Sequence, residues 1–168
     1  MTDNYTLMRT SLNGRKFNLE SLQTLIKKPS LIRETVRSKK ECLEKMIREC
    51  DPSNRKNKEF KDSILERETL GSTSVYTGVA LPHCDPRFVE QSELIIMTLD
   101  KPINWGKNNV KLIILIAVAE NDIPIFKDSL IALYSVIENQ ALMNELVLME
   151  NGDEIKIRLL KEVSQNAK

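Results

Sequence analysis

The stretch Val110-Lys111-Leu112-Ile113-Ile114-Leu115-Ile116-Ala117-Val118-Ala119 restricts this chain more than any other feature. It is almost unbroken in aliphatic and β-branched residues, so it has no polar face to turn to water. A strand buried between two layers of helices reads this way. The run is about half the ~20 apolar residues that a membrane-spanning helix needs, and the polar start of the chain, MTDNYTLMRT, lacks a signal-type apolar region. The reading is a cytoplasmic protein without membrane insertion.

Around this strand the periodicity changes type several times. Leu19, Leu22, Leu25 and Ile26 recur at helical spacing and stop before Pro29, and Leu31 to Val36 reads as a strand. Ser38-Lys39-Lys40-Glu41 has the form of a capping box, in which the serine and glutamate side chains satisfy free N–H groups of a first turn; a helix is predicted over about 39–50. Asp51-Pro52-Ser53-Asn54 breaks it, and Phe60, Ile64 and Leu65 mark another helical face ending near Gly71. Val79 to Leu81 and Leu94 to Leu99 are strands by composition. Phe126, Leu130, Leu133, Tyr134 and Ile137 form one helical stripe, with further helices over about 141–150 and 153–164. The expected fold class is α/β: three layers, with a mixed β-sheet of about five strands flanked by helices on both faces. Residues 19–168 form that one domain. Residues 1–18, polar and without a clear period, are a flexible lead or the remnant of an upstream segment.

Charge and cysteine usage remove several function classes. The 25 Lys+Arg balance 24 Asp+Glu, and no block of like charges stands out, so this domain is expected to contact proteins or small molecules and no nucleic acid. Three cysteines, no CxxC pair and a single histidine make a metal site improbable on spacing grounds. Cys42 and Cys50 would lie about 12 Å apart along one helix at ~1.5 Å rise per residue, too far for a disulfide. All three cysteines are read as free thiols.

The densest collection of reactive side chains runs from Arg67 to His83 and ends on the chain's one histidine. An imidazole titrates near pH ~6.5 and offers an unprotonated nitrogen at neutral pH, which suits reversible phosphoryl transfer. Such transfer depends on positioning and on neutralising charge at the phosphoryl oxygens. Arg67 supplies a planar guanidinium, and Ser72, Thr73, Ser74 and Thr77 supply hydroxyl donors between Gly71 and Gly78. On composition alone the commoner role of a lone histidine is a packed or solvated side chain, and a loop of this kind is commonly just a loop. Cys84 follows His83, but on extended backbone adjacent side chains point to opposite faces, so no Cys-His dyad is expected. Trp105 is expected to anchor a turn against the core.

The sharper reading comes from a resemblance that reaches from about Leu19 to Leu160. Phe60, Leu65-Glu66-Arg67-Glu68, Ser72-Thr73 and Gly78-Val79-Ala80-Leu81-Pro82-His83 follow one another as in the enzyme IIA signature of the bacterial sugar phosphotransferase system (PTS), fructose/mannitol/nitrogen type. Ser92, Leu99 and Lys101-Pro102-Ile103-Asn104-Trp105-Gly106 resemble that family's following turn, and Val110 to Val118 its central strand. The resemblance implies a phosphotransferase that accepts phosphate on His83 from the phosphocarrier protein HPr and passes it to a cysteine of an enzyme IIB domain. It implies no cofactor, because the donor is already a phosphohistidine. By the same match Arg67 corresponds to the active-site arginine and Thr73 to the pocket threonine, whereas Ser72, Ser74 and Thr77 are neighbours by sequence only. Transport members commonly carry a second histidine at the start of the helix after the central strand; Asn121-Asp122-Ile123-Pro124-Ile125-Phe126 has none. In that respect, and over Leu19 to Val36, the chain resembles the IIA modules of sugar-operon transcription regulators, whose phosphorylation state controls activity. A carrier of this kind needs an apolar docking rim, for which Val75, Tyr76 and Phe88 are candidates.

Overall fold

The aliphatic run becomes a central strand, covered on both faces. The structure, a computed structural model, describes residues 19–74, 76 and 78–166, so the predicted lead 1–18 lies outside the described residues. In chain order the elements are α1 (Leu19–Leu25), β1 (Leu31–Glu34), α2 (Lys39–Glu49), α3 (Pro52–Lys56), α4 (Lys58–Thr69), β2 (Gly78–Ala80), β3 (Glu93–Asn104), β4 (Asn109–Ala117), α5 (Ile123–Ile137), α6 (Gln140–Leu148) and α7 (Gly152–Asn166). The sheet runs β1-β3-β4-β2, with an antiparallel central pair and a parallel strand on each side. It is therefore mixed, as expected. The segments with strand composition account for all four of its strands, and no fifth is present among the described residues.

Successive side chains of a strand point to opposite faces, and β4 spends both on the core. Leu112, Ile114 and Ile116 join Leu94 and Ile96 under α1, α5, α6 and α7. Ile113, Leu115 and Ala117 join Ile95 and Met97 under α2 and α4, against Leu43, Met46, Phe60 and Ile64. Burying one such aliphatic side chain is worth roughly 1.5–3 kcal/mol, so the strand cannot slip register by a residue without exchanging two cores. One irregularity interrupts the alternation. Gly78 faces Val110 while Val79 faces Leu112, so Lys111 is an extra residue on β4, and Val110 turns to the same side as Ile113.

Side-chain caps fix the helices near the histidine segment. Ser38 Oγ accepts from Glu41 N at 3.1 Å, and Glu41 Oε2 accepts in return from Arg37 N at 2.8 Å, one residue before the cap itself. Asn54 in α3 is fully buried and makes four hydrogen bonds. Its Oδ1 accepts from Glu90 N (2.8 Å) and Gln91 N (3.1 Å), and its Nδ2 donates to Gln91 O (2.6 Å) and Glu93 Oε2 (2.7 Å). Asn57 Nδ2 donates to Phe88 O at 3.1 Å. These bonds tie the loop that leaves His83 to the junction of α3 and α4.

Candidate functional site

The histidine is placed by β4. Past Ala80 the chain continues alongside β4: Ile116 N donates to Pro82 O at 2.8 Å, Cys84 N donates to Ile116 O at 3.2 Å, and His83 pairs with Ile116. His83 thus lies beyond the carboxyl end of β2, beside the carboxyl end of its parallel neighbour β4, where open α/β sheets tend to present ligand sites. Arg67 comes from the last turn of α4. Its Nε donates to His83 Nε2 at 3.2 Å, and its Nη1 donates to Gly71 O at 3.0 Å.

Two partners decide the state of the ring. His83 Nδ1 is 3.2 Å from Leu81 O, and a carbonyl can only accept, so Nδ1 carries the hydrogen. Nε2 then keeps its lone pair, which the Arg67 donor requires. Burial lowers the His83 pKa below its ordinary value; the Leu81 hydrogen bond opposes this, the Arg67 charge adds to it, and the Glu68 charge again opposes. The ring is neutral at pH 7, with Nε2 as the available nucleophilic atom.

An open groove of about 590 Å³ runs past this pair, walled by Ser63, Glu66, Arg67 and Leu70 on one side and by the segment from His83 to Phe88 on the other. Ser63 lies one helical turn before Arg67, on the same face, and holds the opposite wall: Asp85 N donates to Ser63 Oγ at 3.2 Å. Arg87 Nη2 pairs with Asp85 Oδ2 at 2.7 Å, and that hydrogen bond lowers the Asp85 pKa. Leu70, 84% exposed, forms an apolar lip. Ser63, Asp85, Arg87 and Leu70 are not among the residues the sequence singles out; Ser63 and Leu70 carry a periodic signal, their spacings of four and three from Arg67.

The expected hydroxyl donors are placed differently from one another. Ser72 Oγ donates to Trp105 O at 2.8 Å. The Thr73 hydroxyl donates to Glu68 Oε1 and accepts from Trp105 Nε1, the latter at 3.0 Å. Ser74 Oγ donates to Val79 O at 2.8 Å, fully buried. None of the three is among the residues that wall the groove. Thr77 and the rim candidate Val75 lie outside the described residues. Of the other rim candidates Phe88 walls the groove, whereas Tyr76 packs on the α5–α7 side and donates its hydroxyl to Glu138 at 3.1 Å.

Cys84 turns its thiol toward α4. Its Sγ lies 2.9 Å from Ser63 Oγ in the core under α4, and burial pushes the thiol up to about 11, so it is no thiolate at neutral pH. All three cysteines are free and buried. Among the described residues no group of three His, Cys, Asp or Glu side chains is placed to hold a metal ion, and no helix is long and apolar enough to cross a membrane. At the start of α5, Phe126 is buried in the core while Ile123 and Ile125 are exposed.

Residues 24–162 match the family described as phosphoenolpyruvate-dependent sugar phosphotransferase system, EIIA 2. The chain belongs to this enzyme IIA type 2 family. The relatives of this enzyme IIA chain include the transcriptional regulator ManR of Bacillus subtilis (strain 168), 30% identical over 95 residues, which are 56% of this chain and 15% of ManR. The probable licABCH operon regulator of the same organism is 27% identical over 122 residues, 73% of this chain and 19% of that protein. The chain therefore spans less than a fifth of either regulator. The 2-O-alpha-mannosyl-D-glycerate-specific EIIABC component of the PTS of Escherichia coli (strain K12) is 31% identical over 68 residues, 38% of this chain and 10% of that one. Among solved structures, the nitrogen regulatory protein IIA-Ntr of Neisseria meningitidis superposes with a TM-score of 0.71 at 22% identity, covering 84% of this chain and 99% of that one. IIA mannitol of Escherichia coli superposes with a TM-score of 0.63 at 16% identity, covering 86% and 99%. Both share the mixed sheet flanked by helices.

Proposed function

We propose that this chain is a phosphoryl-accepting regulatory IIA module: His83 takes a phosphoryl group from HPr, and its phosphorylation state controls a sugar-operon regulator of which the module is part. The observation that carries the reading is the meeting of Arg67 Nε and His83 Nε2 at 3.2 Å on the wall of an open groove, with Nδ1 protonated against Leu81 O. In the step itself the Nε2 lone pair attacks phosphorus, the P–N bond of the donor phosphohistidine breaks, and the donor imidazole takes that electron pair. Nε2 has no proton to lose. Arg67 gives up its hydrogen bond to Nε2 and turns its fork to the phosphoryl oxygens, whose charge it neutralises.

Two features favour regulation over transport. The regulators ManR and licABCH match over 56% and 73% of this chain, and at the start of α5 the buried Phe126 stands at the position that matches the second histidine of transport members. The transport reading, in which His83 passes its phosphate to a IIB cysteine, uses the same site and is favoured by the likeness to the EIIABC component. The test is to incubate the chain with enzyme I, HPr and phosphoenolpyruvate and measure acid-labile phosphate on the native protein and on His83→Ala. Label is expected on the first and absent from the second; label persisting on the alanine variant overturns the assignment. Adding IIB domains separates the two roles, because only a transport carrier discharges onto them.

A further inference from the structure

We propose that Thr73, clamped by Trp105 and Glu68, is a positioning residue that holds His83 in the tautomer whose Nε2 is open to the phosphoryl group. The proposal rests on the reading of His83 as acceptor and adds to it the origin of the ring's orientation.

The Thr73 hydroxyl is fully committed. Its one hydrogen goes to Glu68 Oε1 and a lone pair takes the Trp105 Nε1 hydrogen at 3.0 Å. The second oxygen of Glu68 accepts from Lys39 Nζ at 3.4 Å, and the same ammonium stands 5.8 Å above the Trp105 ring. Thr73, Glu68 and Trp105 are 3%, 7% and 0% exposed, so none of these bonds is exchanged readily for water. α4 and the β3–β4 turn thus converge on one hydroxyl, and Lys39 of α2 braces both of its partners. Arg67 and Glu68 are consecutive on α4, about 100° apart around the helix. The guanidinium accordingly reaches the groove while the carboxylate reaches inward.

From Thr73 the constraint passes to the imidazole through the backbone. Leu81 N donates to Thr73 O at 3.1 Å, and the next carbonyl, Leu81 O, receives the Nδ1 hydrogen of His83. Between those two groups Leu81 has little freedom. A residue before proline is confined to extended ψ, and Pro82 has a fixed φ. Pro82 O is held in turn by Ile116 N at 2.8 Å. Fixing the Leu81 N–H therefore aims the Leu81 carbonyl, and that carbonyl chooses which ring nitrogen is protonated. The arrangement goes beyond bracing the loop, since its last bond ends on the reacting side chain.

His83 is the only histidine, so ¹⁵N-histidine labelling reports one ring without assignment. The wild-type spectrum is expected to show a protonated Nδ1 and a bare Nε2. In Thr73→Val and in Trp105→Phe, the ratio of Nδ1–H to Nε2–H forms is expected to fall about tenfold, comparable to the loss of one net hydrogen bond. The rate of phosphoryl acceptance from phospho-HPr falls with the Nδ1–H fraction. Thr73→Ser keeps a hydroxyl and restores both readouts. If Thr73→Val does not fold, Trp105→Phe, which keeps a buried six-membered ring while losing the N–H together with the rest of the indole's five-membered ring, carries the test. Unchanged ring tautomers in the folded variants overturn the proposal, as does a Thr73→Ser protein that behaves like Thr73→Val. A wild-type chain that takes no phosphate fails the acceptor reading itself, whereas a wild-type chain that takes phosphate beside variants with unaltered tautomers fails this inference alone.

Discussion

Replacing Asn54 with aspartate puts an oxygen where an amide nitrogen now donates. That nitrogen lies 2.6 Å from Gln91 O and 2.7 Å from Glu93 Oε2, and Asn54 is fully buried with Glu93 4% exposed. Two carboxylate charges at 2.7 Å repel by about 6 kcal/mol at an effective dielectric of about 20. Keeping one of them protonated is less costly: for a carboxyl of ordinary pKa ~4 held neutral at pH 7 the cost is about 4 kcal/mol. Protonation therefore wins, and the proton restores one of the two hydrogen bonds that the amide nitrogen donated, while the other is lost at every pH. The folded variant binds a proton that its unfolded chain releases, so its stability falls as pH rises above the ordinary carboxyl range. The pH-dependent part of the penalty relative to wild type is expected to be about 4 kcal/mol at pH 7 and about 3 kcal/mol smaller at pH 5, following the linkage slope, on top of a pH-independent cost of roughly 1–3 kcal/mol for the hydrogen bond that is not restored. Urea unfolding of both proteins at the two pH values measures it. A penalty of the same size at both would show that no proton is taken up and that the carboxylates have moved apart instead.

Other expectations concern the site and its supports. His83 should titrate below the usual histidine range by NMR, so phosphoryl acceptance should hold its rate as pH drops from 8 to about 6.5 and decline only below it. Because the folded-state pKa is depressed, the neutral ring's contribution to stability is present above the ordinary value and is lost as pH falls below it. Arg67→Ala should raise that pKa, since the guanidinium charge lowers it, and should slow phosphorylation with the fold intact; an unmoved titration would separate Arg67 from the ring. Cys84, with its thiol pushed up to about 11, should resist alkylation at pH 8 until the protein unfolds; rapid labelling of the folded chain would contradict its buried setting. Gly78 has φ +86, and Gly78→Ala should destabilise by about 1–2 kcal/mol, the cost of a Cβ in left-handed backbone, read as a lowered urea midpoint; an unchanged midpoint would mean that the chain relaxes there without strain.

The parts of this molecule that were legible in the sequence share a physical cause. Residues 110–118 announce a central strand because two covering layers leave almost no polar position for solvent, and the stripe from Phe126 to Ile137 announces its helix because apolar residues recur there at helical spacing. His83 and Arg67 stand out by their chemistry, but only the resemblance ties the one to the other, since no periodicity links a helix end to a residue beyond a loop. Inside that loop the hydroxyls look equivalent, yet their directions are set from elsewhere. Trp105, across the β3–β4 turn, claims Thr73, and the Val79 carbonyl claims Ser74. Asp85 and Arg87 sit at the cap and in the middle of a single 3-10 turn, Pro86–Phe88, too short for a periodic pattern to announce. The bulge at Lys111 is likewise silent, because it depends on how β2 pairs and not on the composition of β4.

Both margins of the sheet are poor templates for another strand. β1 is four residues long with Arg33 at φ 50, and β2 is three residues long and soon meets Pro82, which has no N–H to offer. A visiting protein can hardly zip its backbone onto this one. Recognition along these margins is left to side chains meeting side chains.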